Sequence, residues 1–474
     1  MAGHRAHTTG TSRGPQLHDT VTYERPEVVV ARGLAHAFLA GEWDPPAMTV
    51  RGQAAVGRRR VWLRDLALAA RHEYPEAPRD RPRELTSFLA ACPPLTGAFA
   101  AAVRAGEGPP AVQRWFVAET AMGPAPWPVA PLHTVADLQD LLGMSTATLA
   151  WFADTKRLER SVADERLRHY RYRWIPKRNG GARLIEQPKP VLKHVQRVLL
   201  REIVERVPVH PAAHGFRRGR SALTHAGGHV QKRVVIRLDL EDYFASVAAG
   251  RVYGIFRRCG YPEPVAHMLT ALVTNSVPAT VRAAAVPPES AERRPAFRRL
   301  GVHLAHPHLP QGAPTSPALA NLAAFGLDRR LAGLATAAGL TYSRYADDLA
   351  FSSSAALATP ATNRLVDNVT AIAGEGGFRV NPWKTSVQRA GRRQWLAGVI
   401  VNERPNVERR EYDLLKATLH NAVRHGPAGQ NRAGHPAFRE HLRGRIAWVD
   451  HLNPARGERL LATFARIDWD DDER

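Results

Sequence analysis

The chain is poor in cysteine: Cys92 and Cys259 are the only two among its 474 residues. They lie too far apart in sequence to suggest a disulfide framework, and a zinc site would need several histidines beside them. Long apolar runs are missing as well. The opening segment, MAGHRAHTTGTSRGP, lacks the apolar core of a signal peptide, and no stretch of about 18 apolar residues occurs. We therefore expect a soluble protein of the reducing cytoplasm with no membrane partner.

Acidic residues are also scarce, since 44 Asp and Glu stand against 66 Lys and Arg and the formal net charge is +22. Such an excess favours a polyanionic partner, because Lys and Arg neutralise phosphates and release counterions. A compositional bias toward Arg, Ala, Pro and Gly would produce the same excess, so charge alone leaves both explanations open. The apolar fraction of 44% excludes wholesale disorder.

The length of the chain predicts two to four domains, at roughly 100–200 residues each. Residues 1–26 are polar and predict a flexible arm. Residues 27–133 predict a helical N-terminal extension ending in a linker, and we leave its role open between holding RNA, recruiting an effector and bracing the rest of the protein. Apolar clusters at helical spacing fall in four stretches, which are 28–41, 60–74, 84–92 and 111–122. The run GPAPWPVAP at 123–131 reads as the linker, because closely spaced prolines forbid a helix.

The pattern changes after residue 134. Thr134 and Asp137 form a capping-box-like helix start, and HYRYRWIPK followed by the turn at 179–181 and ARLIEQP predicts a β-hairpin. VVIRLDLEDYF reads as a strand ending in carboxylates, and LTYSRYADDLAFSSS as two strands around an acidic turn. Strands mixed with helices predict an α+β fold. We expect a surface insertion near 280–308 and three helices after Arg409.

Three carboxylates stand out as candidate catalytic and metal-binding residues: Asp239, Asp347 and Asp348. Nucleotidyl transfer uses two Mg²⁺ ions about 3.5–4 Å apart, and these ions require converging carboxylates. A carboxylate at the end of one strand and a pair at a hairpin tip could converge if the strands are neighbours. Each fragment alone is weak, because an acidic turn is usually only a solvated turn.

The surrounding strings resemble the reverse transcriptase family, and they occur in the family's order. YADD at 345–348 resembles the catalytic hairpin, and DLEDYF at 239–244 resembles the strand that bears the first metal ligand. LPQGAPTSP at 309–317 with Asn321 resembles the segment under the templating base pair, and Gly377-Phe378 with Lys384 resembles the block after the hairpin. The resemblance covers about residues 134–465 and implies an RNA-directed DNA polymerase with two Mg²⁺ as cofactors.

This resemblance implies a right-hand polymerase with a helical N-terminal extension. The fingers and the start of the palm would be residues 134–235, the palm 236–408 and a helical thumb 409–474. The nucleotide-binding residues would be Lys177, Arg183, Phe244, Gln311 and Lys384, and the primer grip Leu396, Ala397 and Gly398. Phe244 falls where the family crowds the sugar 2′ position, which implies selection of deoxynucleoside triphosphates. The plain alternatives are a solvated basic hairpin for Lys177 and Arg183 and a core aromatic for Phe244.

Two further blocks resemble the retron reverse transcriptases: HAGGH at 225–229 and Leu-Ala-Gly at 396–398. Both depart from the retron pattern, with His in place of Asn at 225 and Leu-Ala in place of Val-Thr at 396–397. Only about 65 residues follow Arg409, which leaves no room for a group II intron maturase region. The retron resemblance implies a cognate non-coding RNA as template and primer, a branched RNA–DNA product called msDNA, and antiphage defence with a possible effector protein. The basic thumb residues expected to bind RNA are Arg409, Arg410, Lys416, Arg439 and Arg443.

Other readings are weaker. A stand-alone defence enzyme or a group II-related reverse transcriptase would share the polymerase blocks. A silent RNA-binding protein on a polymerase scaffold would have no need for clustered carboxylates, which are costly to keep. An RNA-dependent RNA polymerase is disfavoured by Phe244.

Overall fold

The computed structural model describes residues 24–57, 59–177 and 182–469. Nearly all of the predicted arm, and the turn predicted at 179–181, lie outside this description. The chain divides into two compact units, with the boundary between Ala121 and Met122. The proline-rich run at 123–131 therefore belongs to the second unit, where it has no helix and is held by backbone hydrogen bonds from Gly123 to Gly260 (2.8 Å) and from Ala130 to Glu202 (3.2 Å).

The first unit is helical, as predicted for most of this region. Its helices are α1 Pro26–Leu39, α2 Pro45–Val56, α3 Trp62–Glu73, α4 Pro82–Ala91 and α5 Pro93–Arg104. Proline stands in the first turn of four of these helices, where its missing N–H has no intrahelical partner to lose. The core is formed by apolar side chains such as Leu34, Phe38, Leu63 and Leu89.

None of the described helices is by itself long and apolar enough to span a membrane. The pair α4 and α5, bent by 51°, meets the requirement jointly, on length and composition alone. Leu85, Leu89 and Leu95 of this pair are buried in the core of the first unit.

The helix predicted at 111–122 is wrong, because this stretch contains no regular secondary structure. Its backbone instead binds the ends of two helices. The N–H groups of Gln113 and Arg114 donate to the Ala55 carbonyl of α2, and the N–H of Glu119 donates to the Leu39 carbonyl of α1. The last carbonyls of a helix have no partner within it. The segment satisfies those carbonyls, and this tertiary role overrides the helical spacing of its apolar residues.

The second unit mixes helices and strands, in agreement with the α+β prediction. Its helices are α6 Val135–Leu142, α7 Thr146–Phe152, α8 Pro190–Glu202, α9 Ala222–Gly227, α10 Ala249–Arg258, α11 Glu263–Val273, α12 Ala279–Ala283, α13 Arg294–Ala305, α14 Ser316–Ala323, α15 Phe325–Ala337, α16 Thr359–Glu375, α17 Arg409–His425, α18 Phe438–Leu452 and α19 Pro454–Phe464. Its strands are β1 Tyr170–Pro176, β2 Ala182–Pro188, β3 Val234–Asp239, β4 Thr341–Tyr345, β5 Asp348–Ser353, β6 Ser386–Arg389, β7 Trp395–Leu396 and β8 Val399–Ile400.

Several local predictions are confirmed in this unit. The Thr134 side chain accepts a hydrogen bond from the Asp137 N–H while the Asp137 carboxylate accepts from the Thr134 N–H, which completes the capping box of α6. Strands β1 and β2 pair antiparallel. In the described residues after 408 there are three α-helices, as expected. The surface insertion near 280–308 stays a prediction: this stretch forms α12 and α13, and the Leu304 carbonyl of α13 accepts from the Val277 N–H.

The centre of the second unit is a four-stranded antiparallel sheet in the order β4-β5-β3-β6. Strand β3 has the sequence VVIRLD and is buried on both faces, as its near-continuous apolar run predicts. The pairing of β3 with β5 places Asp239 opposite Asp348. The sheet therefore brings the two predicted carboxylate segments to one end of adjacent strands.

Candidate active site

The three predicted carboxylates meet at that end of the sheet. Asp239 is the last residue of β3, Asp348 is the first residue of β5, and Asp347 lies in the turn between β4 and β5. The Leu240 N–H donates to the Asp347 carbonyl at 2.9 Å, which attaches the turn to the end of β3. The Asp239 side chain is buried, and the other two are half-buried.

The turn between β4 and β5 is strained, because Ala346 has a φ of +56° without being glycine. The Arg344 guanidinium, fully buried, donates to the Ala346 carbonyl at 2.9 Å. The same guanidinium is anchored by two hydrogen bonds of 2.8 and 2.7 Å to Asp328. It also donates to the Tyr243 hydroxyl and to the Asn321 amide oxygen. One buried arginine thus joins the acidic turn to the DLEDYF segment and to Asn321 of α14.

The carboxylates influence one another electrostatically. Burial, and next the negative charge of Asp347, raise the pKa of the Asp239 carboxyl to about 6, although Lys384 opposes the shift. Burial also raises the pKa of Asp348, against the effect of the Arg237 guanidinium. Crowded carboxylates of this kind favour a bound cation, which would compensate their repulsion.

Two of these carboxylates form ion pairs with cationic side chains. The Lys384 ammonium lies 2.7 Å from Oδ1 of Asp239, and the Arg237 guanidinium lies 2.6 Å from Oδ1 of Asp348. In this arrangement no group of three or more His, Cys, Asp or Glu in the described part of the chain is placed to hold a metal ion. The donor chemistry nevertheless fits Mg²⁺, which prefers carboxylate oxygens and keeps several waters.

Among the residues predicted to bind the nucleotide, Lys384 contacts Asp239 directly. Phe244 is half-buried against Phe216 and Tyr243. Lys177 and Arg183 are exposed at the ends of β1 and β2. The positive charge of Lys177 acts on Asp242, whose pKa is raised chiefly by burial.

The loop of Gln311 and Gly312 is fixed to β2. The Gln311 carbonyl accepts from the Glu186 N–H at 2.8 Å, and Gly312, with a φ of +131°, passes so near that a Cβ would lie 3.0 Å from the Glu186 carbonyl oxygen. Buried groups support this contact. His308 Nε2 lies 2.9 Å from the Glu186 carboxylate, and Asn275 donates to its other oxygen. Burial alone would lower the pKa of His308, but the Glu186 carboxylate raises it above its usual value.

The residues predicted as a primer grip form a tight turn. Leu396 is buried at the end of β7, and Ala397 and Gly398 both have positive φ, +47° and +82°, as a two-residue hairpin turn requires. We call β7, this turn and β8 the grip hairpin, residues 395–400. The Trp395 ring at its start lies over the Arg237 guanidinium, 4.3 Å from centroid to Cζ.

The two histidines of the HAGGH block are buried against the hairpin of β4 and β5, whereas Gly227 and Gly228 are exposed. His229 is fully buried and bonds to Ser352 of β5 at 2.7 Å and to Ser343 of β4 at 2.8 Å. His225 bonds to the same Ser343 at 2.8 Å. Burial lowers the pKa of His229 to about 4, so its imidazole is neutral at pH 7. His225 of α9 and His229 just after it therefore link this segment to β4 and β5, and His229 has no exposed surface.

The basic residues predicted to bind RNA are all exposed. Helix α17 buries Leu415, Leu419 and Ala422, which turns its charged face outward. The exposed set comprises Arg409, Arg410, Lys416, Arg439 and Arg443. Arg439 also stacks on Trp469, with its Cζ 5.6 Å from the ring centroid.

Two residues of the site were missed by the sequence analysis, Arg237 and Arg344. Arg237 is the charged residue within the apolar run VVIRL, two positions before Asp239, and Arg344 lies in the polar strand TYSRY, three positions before Asp347. A buried charge requires a partner, so Arg237 could have been identified from the strand pattern, whereas β4 offers no such pattern for Arg344. The partners of the two arginines, Asp348 and Asp328, could not be identified from the sequence.

Comparison with known proteins agrees with this geometry. A family model described as reverse transcriptase (RNA-dependent DNA polymerase) matches residues 175–412, and this family has the palm-type polymerase fold. The retron Mx65 reverse transcriptase of Myxococcus xanthus is 41% identical over 336 residues, which cover 69% of this chain and 70% of the relative. The retron Mx162 enzyme of the same organism is 37% identical, over 71% of this chain and 67% of the relative. The retron Ec86 enzyme of Escherichia coli is 28% identical, over 70% and 90% respectively. The chain therefore belongs to the reverse transcriptase family and, within it, to the retron reverse transcriptases.

Proposed function

We propose that Asp239, Asp347 and Asp348 are the catalytic carboxylates of an RNA-directed DNA polymerase. The observation that carries this proposal is the pairing of Asp239 with Asp348 beside the turn that holds Asp347. These residues would hold two Mg²⁺ ions, which lower the pKa of the attacking hydroxyl and stabilise the leaving pyrophosphate. When the nucleotide binds, the Lys384 ammonium would leave the Asp239 carboxylate and bind the triphosphate.

The nucleotide site would be completed by groups from three segments. Lys177 and Arg183 would bind the triphosphate, one as a point charge and one as a bidentate donor. The Gln311–Gly312 loop would support the templating pair, held by its backbone contact with Glu186. Phe244 would exclude the ribose 2′-hydroxyl, because an aromatic ring beside the sugar leaves no space for an added oxygen.

The right-hand architecture is part of the same proposal. Residues 134–235 would form the fingers and the start of the palm, 236–408 the palm and 409–474 the thumb, with the grip hairpin positioning the primer end. The thumb would bind RNA through its exposed basic face, which suits phosphate contacts and shape recognition.

We infer further that the template and primer belong to one cognate non-coding RNA, and that the product is the branched RNA–DNA hybrid of a retron. Support comes from the relatives, which are named as retron reverse transcriptases. Such an enzyme would use deoxynucleoside triphosphates in the cytoplasm, with a role in antiphage defence and a possible effector partner. The first unit would hold RNA, recruit an effector or brace the fingers.

The test is to express the enzyme with its native flanking DNA, purify the nucleic acid and treat it with a nuclease that cuts 2′,5′ linkages. A retron product is a short DNA whose mobility shifts on debranching and which is absent with the Asp347→Ala enzyme. Linear DNA whose mobility does not change on treatment with the nuclease would contradict the retron proposal and leave the polymerase proposal intact.

A further inference from the structure

Arg237 lies on β3 two residues before Asp239, so both side chains project from the same face of the sheet. Its Nε and Nη2 donate to the same oxygen of Asp348, Oδ1, at 2.9 and 2.6 Å. The guanidinium also lies over the Trp395 ring of the grip hairpin, with its Cζ 4.3 Å from the ring centroid. A single cation therefore lies between a candidate metal ligand and the candidate primer grip.

The sheet register explains this placement. Arg237 pairs with Ala350 of β5, and Asp239 pairs with Asp348. Asp348 is thus the diagonal neighbour of Arg237 on the same face, a separation that long side chains can span. Ala350 presents only a methyl group opposite Arg237, which leaves the guanidinium free to reach along β5.

Arg237 and Lys384 hold their carboxylates differently. The Arg237 side chain is 14% exposed and planar, with two donors on one oxygen and an aromatic ring behind it. The Lys384 side chain is 39% exposed and offers a point charge on a flexible stem. Asp348 is therefore fixed, whereas Asp239 can be released. Among the described hydrogen bonds none reaches Oδ2 of Asp348, which leaves that oxygen for a metal ion.

We propose that Arg237 is a positioning residue for the polymerase reaction, which fixes Asp348 with Oδ2 directed to the metal site and ties this carboxylate to Trp395 of the grip hairpin. The proposal rests on the function of Asp348 proposed above. When the grip hairpin moves on binding the primer end, the Asp348 carboxylate then becomes more or less firmly held. Primer placement and metal binding become interdependent through one guanidinium.

The first experiment measures Mn²⁺ binding by electron paramagnetic resonance to the full-length chain stripped of nucleic acid, for the unmodified protein, Arg237→Gln and Arg237→Lys. Groups that orient metal ligands typically contribute 10–100-fold in metal affinity or activity. We expect Arg237→Gln to weaken Mn²⁺ binding and lower kcat by about 10–100-fold. Arg237→Lys keeps the charge and one donor, so it should recover part of the loss.

The sign of the change separates positioning from charge. Removing a nearby positive charge would by itself tighten cation binding. Weaker Mn²⁺ binding by Arg237→Gln can therefore arise only from lost orientation. Unchanged or tighter binding with kcat within twofold of the unmodified enzyme overturns the proposal.

Arg251 offers a matched control. It is a half-buried arginine of the same unit that stacks on Phe378 at 4.8 Å and donates to the Gly376 carbonyl, without touching a carboxylate of the site. Arg251→Gln should leave Mn²⁺ affinity within about twofold. The melting temperatures of both glutamine variants are also compared. A general loss of folding would weaken Mn²⁺ binding equally in the two variants.

The link to the grip hairpin is tested by a double-mutant cycle with Trp395→Leu. This change should weaken Mn²⁺ binding in the unmodified background and have no further effect in Arg237→Gln, because the two act through one contact. Equal effects in both backgrounds overturn the link. If Asp348→Asn itself retains Mn²⁺ affinity and synthesis, the proposed function has failed. If Asp348→Asn is inactive and Arg237→Gln is normal, only the present proposal has failed.

Discussion

Charge is used in opposite ways in the central sheet and in the C-terminal helices. Around the sheet, cations lie within 3 Å of carboxylates and are mostly buried, as in Arg344–Asp328 and Arg237–Asp348. On α17 and α18 the arginines project into solvent, and the contact of Arg409 with Asp413 is a loose 3.6 Å. Buried pairs impose geometry because desolvated charges must be satisfied, whereas exposed charges act through a field that salt screens. The first arrangement suits the placement of reacting groups and the second suits a phosphate backbone.

The largest expected effect lies at the carboxylates. Asp347→Ala or Asp348→Ala should lower deoxynucleotide incorporation at least about a thousandfold, since metal-bound oxygens contribute several kcal/mol in the transition state. RNA affinity should stay within a few-fold, because it depends on the exposed helices. Primer extension and a binding assay on one preparation test both parts, and substantial residual synthesis would contradict the catalytic assignment.

The next effect concerns the stability of the buried pair. Arg344→Met should cost about 3–5 kcal/mol in the free energy of unfolding, because it leaves Asp328 buried without its partner. Arg410→Met, at an exposed position, should change it by less than about 0.5 kcal/mol. Urea titration of both variants measures these changes. Similar midpoints would show that the buried pair contributes no more to stability than an exposed arginine.

Acid should also destabilise the sheet region. Burial lowers the pKa of His229 and His214 to about 4, and it lowers the pKa of His225 well below its usual value. Groups with a lowered histidine pKa contribute stability above the unfolded value, near 6.5, and lose it as pH falls toward the folded value. His229 alone accounts for about 3 kcal/mol by pH 4. Urea unfolding between pH 7.5 and 4 should show this loss of stability. In His229→Gln the free energy of unfolding should depend less steeply on pH, and an unchanged dependence would contradict the prediction.

Phe244 is half-buried, and so lies between the buried and the exposed cases. If it excludes the 2′-hydroxyl, Phe244→Val should lower the ratio of kcat/KM for deoxy- over ribonucleotides by about 10- to 100-fold, because exclusion is lost when the excluding group shrinks. Phe256→Leu, at a buried aromatic of α10, serves as the control and should leave the ratio unchanged. A ratio that stays constant in Phe244→Val would make Phe244 a core residue.

The smallest expected effect is at the exposed arginines. Replacing Arg439 or Arg443 by Gln should weaken RNA binding modestly and reduce the slope of log affinity against log salt by roughly 0.7–1 per phosphate contact. Arg237→Gln should leave that slope unchanged. Filter binding over a range of salt concentrations distinguishes the two, and an identical slope in all variants would remove the thumb assignment.

Local signals predicted much of the second unit. The capping box at Thr134, the antiparallel hairpin of β1 and β2, and the strand ending at Asp239 follow from patterns a few residues long. The stretch at 111–122 failed because its helical spacing is also compatible with an extended segment that satisfies the carbonyls of Leu39 and Ala55. Spacing records which residues are buried, and it does not record which backbone groups elsewhere lack partners.

The sequence by itself determined the polymerase blocks, their order and the candidate carboxylates, because these depend on residue type and short-range spacing. Only the tertiary structure decided how the blocks are joined: Arg344 to the turn at Ala346, His229 to β4 and β5, and Arg237 between Asp348 and Trp395. These contacts connect residues up to about 160 positions apart, as between Arg237 and Trp395. Their partners are set by strand register and burial, and a buried charge or imidazole bonds to whichever group the folded chain places within reach.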